Sequence, residues 1–118
     1  MALPRCYWLT GPPGSGKTHS VRMTESDLYV KDMTPSWLGY KGQRAVLIDD
    51  LDYQSESMAY HMHIWSTQGD PLLTYDRLIV TSNFTIDQAF KNSDPEVIKA
   101  LHRRFKVIHM TPLGLPLS

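Results

Sequence analysis

The sequence has little cysteine, no excess of either charge and no long apolar run. Its 118 residues include one cysteine, Cys6, and twelve basic side chains against twelve acidic ones. A single cysteine excludes an internal disulfide, and a balanced charge gives no overall positive field that would attract nucleic acid or an anionic membrane. Because a run of about 18 apolar residues is also missing, we expect a soluble, intracellular domain without a membrane span. Any binding to nucleic acid would have to come from a local patch.

Short apolar runs bounded by turn residues recur along the chain and predict strands. With 42% hydrophobic residues, the chain can form the core of one domain. The runs do not alternate strictly with polar residues, which is typical of strands in a sheet that is covered on both faces. They lie at residues 6–9, 28–30, 45–48, 78–80 and 105–108.

Helical patterns lie between these runs. From Ser57 to Gln68, apolar and aromatic side chains recur at helical spacing. Thr85 and Gln88 have the form of a capping box that opens a short helix through Phe90, and Asp94 followed by proline opens another. Strands that alternate with helices favour an α/β fold with a mainly parallel sheet.

The first run leads directly into a phosphate-binding motif. Residues 11–18 read GPPGSGKT and match G-x-x-x-x-G-K-[ST] at every fixed position, with a predicted strand before it and a helix after it. Such glycines let successive N–H groups point at phosphate oxygens, while Lys17 is expected to reach the β- and γ-phosphates and Thr18 to hold Mg²⁺. An accidental glycine-rich turn would not need the Lys-Thr pair. The motif predicts that a nucleoside triphosphate, ATP with Mg²⁺, is bound by Gly11, Pro12, Pro13, Gly14, Ser15, Gly16, Lys17 and Thr18.

A second motif follows the third run. Residues 45–48 are apolar and end in Asp49 and Asp50, the pattern of a Walker B strand. The carboxyl ends of parallel strands meet at one edge of a sheet, so Asp49 can approach the Mg²⁺ that Thr18 holds. Asp50 is then placed to orient or deprotonate the attacking water. The alternative is a strand end capped by two solvated acids.

Polar side chains also follow the fourth run and precede the fifth. The fourth run ends near Asn83, whose neutral amide could hydrogen-bond the attacking water and the γ-phosphate, or could simply form a turn or cap a helix. Arg103 and Arg104 end the last predicted helix, where arginines often pair with the helix dipole. They could instead act as an arginine finger on a neighbour's γ-phosphate, in which case hydrolysis requires an oligomer.

Four segments, in this order and spacing, resemble a known family. GPPGSGKT, VLIDD, LIVTSN and ALHRRFKVIHM are similar to motifs of the superfamily 3 helicase domain in replication initiator (Rep) proteins of small circular single-stranded DNA viruses, such as circoviruses and geminiviruses. The stretch WLGYKGQ before the Walker B strand and the stretch HMHIW after it are also similar to that family. The resemblance covers about residues 5–110.

The resemblance implies a P-loop NTPase fold with an AAA+-like parallel sheet of order 5-1-4-3-2 and helices on both faces. It also implies a hexameric ring, ATP-driven 3′-to-5′ unwinding of DNA during rolling-circle replication, and a location in the host nucleus. By position, Lys17 and Thr18 belong to Walker A, and Asp49 and Asp50 to Walker B. Asn83 belongs to motif C, and Arg103 or Arg104 occupies the position of the arginine finger.

The sequence also departs from that family. Family members carry a longer, Lys-Gly-rich hairpin that grips DNA between Walker B and motif C, whereas residues 68–76 are few and contain no lysine. We expect this chain to lack the relaxase domain and the helical oligomerisation domain of the family. We therefore expect a minimal or excised motor domain over residues 1–110 with a loose tail over 111–118. Its expected partners are single-stranded DNA and further copies of itself, although such a fragment can be a monomer and a slow ATPase.

Two other functions remain open at this point. One is a small-molecule P-loop kinase, which would need an acceptor pocket and usually an arginine-rich lid, whereas residues 52–76 contain no arginine. The other is a nucleotide-binding assembly module that does not hydrolyse ATP in isolation.

Several smaller features also have two interpretations. Trp37 and Tyr40 could stack on bases or on adenine, or could pack a loop over the sheet. His61 and His63 are two residues apart on a predicted helix and so diverge too far to share a metal ion easily. The final third is locally basic and could be a solvated or subunit-contact face or a track for DNA; its basic residues are Lys91, Lys99, Arg103, Arg104 and Lys106.

Overall fold

The computed structural model describes residues 3–54, 56–67 and 72–111. This part of the chain alternates strands with helices, as the hydrophobic pattern predicts. The strands are β1 (Arg5–Thr10), β2 (Leu28–Lys31), β3 (Ala45–Leu51), β4 (Arg77–Ser82) and β5 (Phe105–His109). The helices are α1 (Lys17–Thr24), α2 (Glu56–Thr67), α3 (Ile86–Ala89) and α4 (Pro95–Arg104).

The strands form one sheet in which every neighbouring pair is parallel. Their order across the sheet is β2-β3-β4-β1-β5, which is 5-1-4-3-2 when it is read from the other edge. The α/β fold class and the AAA+-like strand order are confirmed. Because β1, β4 and β3 are adjacent and parallel, their carboxyl ends lie side by side, and the chain leaves all three strands on the same side of the sheet.

Helices cover both faces of the sheet. Alternate residues of each strand point to opposite faces, so Trp8 and Leu9 belong to different hydrophobic clusters. The larger cluster joins Trp8 to buried side chains of α2, α3 and α4, among them Met62 and Leu101. The smaller one places Val21 of α1 against the opposite face. This two-sided burial explains why the strands are continuous apolar runs.

The helix starts follow the sequence signals. Thr85 and Gln88 form the reciprocal capping box at the start of α3. The Asp94 side chain accepts a hydrogen bond from the Glu96 N–H at 2.9 Å, with Pro95 at the first position of α4. Each side chain satisfies an N–H group that has no partner within the helix, which fixes where that helix begins.

The loop between β2 and β3 is held by aromatic packing. The Trp37 ring is stacked on Tyr29 at a centroid distance of 5.8 Å and on Tyr75 at 5.5 Å. Tyr40 donates a hydrogen bond to the Gln43 carbonyl at 2.8 Å. Beneath them, the buried ammonium of Lys31 lies 5.0 Å from the centroid of the Trp37 ring. The geometry therefore agrees with the packing interpretation of Trp37 and Tyr40.

Two predicted segments lie wholly or partly outside the described residues. Residues 68–71, the first part of the short lysine-free segment, are among them, and so is the predicted tail except for Thr111. Within the described ranges, no helix is long and apolar enough to cross a membrane.

Candidate functional site

A cavity lies at the carboxyl ends of the central strands. Its volume is about 370 Å³, and it is bounded by the loop after β1, the first turn of α1 and the ends of β3 and β4. The parallel order brings these segments together although they are far apart in the sequence. Its lining residues are Pro13, Gly14, Ser15, Gly16, Lys17, Thr18, His19, Asp49, Asp50, Thr81 and Asn83.

Two glycines give the loop after β1 its shape. A Cβ on Gly11 would lie only 2.6 Å from the Met110 carbonyl oxygen, so a larger residue would push the loop away from the chain that leaves β5. Gly16 has a φ of 79° and occupies the N-cap of α1, with no side-chain cap on the helix. The uncapped N–H groups and the helix dipole favour an anion at this point.

The side-chain ammonium of Lys17 lies at the centre of this loop. Its ammonium lies 2.9 Å from the Gly11 carbonyl oxygen, 3.1 Å from that of Pro12 and 3.3 Å from the Ser15 hydroxyl. It also lies 3.1 Å from the side-chain oxygen of Asn83. Burial lowers the pKa of Lys17, and the carboxylates of Asp50 and Asp49 oppose that change. The site thus holds one cation among oxygen atoms of the loop after β1 and of the residue that follows β4.

Thr18 and Asp49 are in direct contact. The Thr18 hydroxyl donates a hydrogen bond to Oδ1 of Asp49, which accepts another from the Thr81 hydroxyl at 2.8 Å. One carboxylate and one hydroxyl are hard oxygen ligands, and they fit Mg²⁺, which usually takes one or two carboxylates together with water and substrate phosphates. Among the described residues, no group of three or more His, Cys, Asp or Glu side chains is placed to hold a metal ion.

Asp50 adopts an unusual backbone conformation next to Asp49. Its φ is +55°, and among the described residues other than glycine it alone has a positive φ. Its N–H donates to the Thr81 hydroxyl at 2.8 Å. The exposed Asp50 side chain lines the same cavity as Asp49 and Asn83.

Thr81 was missed by the sequence interpretation, although it contacts both aspartates. It is buried, and although it lies in the stretch LIVTSN, only Asn83 of that stretch was given a role. The available signal was its position two residues before Asn83, which places a second polar side chain on the same face of the strand end.

Arg103 and Arg104 are not among the residues that line this cavity. They end α4 near the amino ends of the strands, on the side away from the cavity, where Phe105 pairs with Cys6 at the start of β1. The guanidinium of Arg104 lies 2.8 Å from the carbonyl oxygens of both Pro4 and Ser66, whereas Arg103 is exposed. The two arginines that the sequence left equivalent thus have different surroundings.

A family model described as RNA helicase matches residues 7–87, which is more than half of the chain. The chain belongs to the RNA helicase family. The matched part of this helicase-family chain contains the phosphate loop, both aspartates and Asn83, and it ends before the two arginines.

A solved structure resembles this fold over most of the chain. It is the P-loop NTPase domain of the sigma-54 transport activator from E. coli, which is 16% identical and superposes with a TM-score of 0.57 over 92% of this chain and 85% of that one. At this identity the likeness shows the P-loop NTPase fold alone. A comparison with curated proteins found no match. Family and fold together support a nucleotide-dependent function of the ATPase or helicase type.

Proposed function

We propose that residues 1–110 form a Mg²⁺-dependent, ATP-hydrolysing motor domain. The observation that carries this proposal is the convergence of Lys17, Thr18, Asp49 and Asn83 around one cavity from three separate parts of the chain. A P-loop ATPase needs these groups together, because phosphoryl transfer depends on positioning and charge stabilisation rather than on a covalent intermediate.

Each side chain has a distinct role in this proposal. The loop N–H groups and Lys17 bind the phosphates in the cavity, close to Asn83 at the end of β4. Thr18 and Asp49 would hold Mg²⁺, which when bound neutralises part of the phosphate charge. Asp50 accepts a proton from the attacking water or orients it, and Asn83 hydrogen-bonds the same water or the γ-phosphate.

The sequence motifs support a more specific assignment within the helicase family. We assign the domain to a viral replication initiator that unwinds DNA 3′-to-5′ in rolling-circle replication, because four motifs and two flanking stretches occur in the order found in that family. The family model carries the description RNA helicase, so the nucleic acid has to be tested with both DNA and RNA. Assembly into a ring would bring an arginine of one subunit to the phosphates held by the next.

The primary test is ATP turnover by the purified chain. Phosphate release would be measured over a range of protein concentrations, with and without single-stranded DNA or RNA. We expect Mg²⁺-dependent turnover that rises per subunit with protein concentration and with the nucleic acid that is the true partner. No turnover under any of these conditions, with ATP bound, would favour the assembly module instead.

Strand displacement distinguishes unwinding from simple hydrolysis. Duplexes with a 3′ or a 5′ single-stranded tail, each made in DNA and in RNA, would be compared at saturating ATP. Displacement of the 3′-tailed DNA duplex is the expected result. Transfer of the γ-phosphate to a small acceptor, without strand displacement, would indicate the kinase alternative.

A further inference from the structure

Strands β3 and β4 lose their register at the point where the two aspartates stand. Ile48 pairs with Val80 and Leu51 pairs with Ser82, so two residues of β3 lie opposite one residue of β4. The single residue is Thr81, and the two residues are Asp49 and Asp50. This is the arrangement of a β-bulge, which redirects side chains and is frequent beside active sites.

The bulge lets both carboxylates reach the same cavity. In a regular strand, consecutive side chains point to opposite faces, so only one of two adjacent aspartates would face the phosphate loop. Here Asp49 and Asp50 both line the cavity, and Asp50 adopts the positive φ of +55° that the redirection requires.

The Thr81 hydroxyl holds this bulge together. It donates a hydrogen bond to Oδ1 of Asp49 at 2.8 Å and accepts a hydrogen bond from the N–H of Asp50, also at 2.8 Å. A hydroxyl has one proton to donate and lone pairs to accept, so a single side chain satisfies both neighbours. Thr81 is 1% exposed, so water does not replace these bonds.

The geometry points to Thr81 as a positioning residue that holds Asp49 ready for the metal ion and Asp50 ready for the attacking water. The inference rests on the proposed ATPase function. With Oδ1 of Asp49 engaged by Thr18 and Thr81, the carboxylate is fixed in one orientation before any ligand enters. Hydrogen bonds to a metal-binding carboxylate commonly affect metal affinity or activity about 10- to 100-fold.

The decisive variant is Thr81→Val, which keeps the shape of the side chain and its preference for strands but removes the hydroxyl. Thr81→Ser restores the hydroxyl and removes only the methyl group. Thr67→Val is a matched control, because it makes the same chemical change in the last turn of α2, where the hydroxyl donates to the His63 and Ile64 carbonyl groups of the helix. Thr81→Ala serves in place of Thr81→Val if the valine variant does not fold.

Metal affinity is read separately from activity. Mn²⁺ binding in the presence of saturating ADP would be measured by electron paramagnetic resonance, and binding of a fluorescent ADP would be measured in EDTA. For Thr81→Val we expect Mn²⁺ binding weakened about tenfold or more, with the metal-free affinity for ADP within about twofold of the wild type. Turnover should need a correspondingly higher Mg²⁺ concentration. Thr81→Ser and Thr67→Val should bind Mn²⁺ like the wild type.

Two results would overturn the inference. One is unchanged Mn²⁺ affinity in a folded variant that lacks the Thr81 hydroxyl. The other is an equal loss in Thr81→Ser, which would assign the effect to packing of the methyl group. If the wild-type chain binds ADP and Mn²⁺ but hydrolyses nothing, the proposed ATPase function fails, while the comparison of Mn²⁺ affinities still decides the role of Thr81.

Discussion

The ammonium of Lys17 lies 3.1 Å from the side-chain oxygen of Asn83, which joins the first turn of α1 to the end of β4 across 66 residues of sequence. Lys17 is buried, and the other oxygen atoms within its reach belong to the phosphate loop and include the carbonyls of Gly11 and Pro12. A bound triphosphate would compete for this ammonium, so the contact links nucleotide entry to the residue proposed to align water.

Removing the charge of Lys17 tests the phosphate loop. We expect Lys17→Ala to lower ATP turnover about 100-fold or more, because no other lysine or arginine among the described residues lines the cavity to stabilise the developing phosphate charge. Binding of a fluorescent ATP analogue and phosphate release would be measured together. Lys99→Ala is the control, since Lys99 is an exposed residue of α4 that pairs with Glu96. Unchanged turnover in Lys17→Ala would refute the role of the loop.

Changing the Asn83 amide to a carboxylate tests whether this side chain lies beside Lys17 and the bound phosphates. Asn83→Asp has nearly the same shape but would place a negative charge where the Asn83 oxygen now lies, 3.1 Å from the Lys17 ammonium, and beside the phosphates. We expect ATP to bind about tenfold more weakly than to the wild type, with turnover also reduced. Asn83→Ala should reduce turnover while largely keeping ATP affinity. Equal ATP affinity in both variants would argue that Asn83 does not face the phosphates.

Asp50 is expected to act on hydrolysis rather than on binding. In Asp50→Asn the side chain keeps its shape but can no longer take a proton, so ATP should remain bound while turnover falls by about 100-fold. Filter binding of labelled ATP and single-turnover hydrolysis would separate the two steps. The control is Asp52→Asn, an exposed carboxylate two residues further on. Normal turnover in Asp50→Asn would remove this residue from the mechanism.

The two arginines at the end of α4 should behave differently. Arg104→Ala removes the guanidinium from the Pro4 and Ser66 carbonyl groups and should lower the free energy of unfolding by about 1 to 3 kcal/mol. Arg103→Ala should leave stability unchanged and reduce turnover if Arg103 reaches a neighbouring subunit. Mixing Arg103→Ala with Lys17→Ala subunits should then restore part of the activity. No recovery at any mixing ratio would count against action between subunits.

Burial raises the pKa of the Cys6 thiol from 9.0 to about 11, an effect that the nearby Arg104 partly opposes. Since the folded pKa is raised, this thiol contributes stability that is fully present below pH 9 and is lost as the pH rises through about 11. A pKa shift of about two units corresponds to a loss of about 2 to 3 kcal/mol in the free energy of unfolding over this pH range. Urea unfolding of the wild type and of Cys6→Ala at pH 8, 9.5 and 11 would measure the difference. A difference that does not change with pH would contradict the assignment.

The local parts of the site could be predicted from the sequence because their chemistry is contiguous. Gly11 to Thr18 place a turn, a cation and a hydroxyl within eight residues, and the apolar run before Asp49 identifies a buried strand. The predicted strands and the caps at Thr85 and Asp94 were confirmed for the same reason, since they depend on neighbours within a few positions.

The contribution of Thr81 could not be predicted in that way. Its hydroxyl is important because β3 slips against β4 at Asp49 and Asp50, and such a slip depends on how two distant strands are packed. The difference between Arg103 and Arg104 likewise depends on which side of α4 meets the carbonyl groups near β1. Neighbours in sequence on a helix point about 100° apart, and the motif alone does not fix that direction.

The sequence by itself therefore determined the class of fold, the phosphate loop and the strand ends that carry acid or amide groups, because hydrophobic periodicity and short-range turn chemistry are written in adjacent residues. Only the tertiary structure decided that Thr81 bridges both aspartates, that Trp37 and Tyr40 pack onto the core and that Arg104 is bound internally while Arg103 is exposed. Those relations arise from contacts between residues that are distant in the chain, and their geometry is fixed only when the strands and helices pack together.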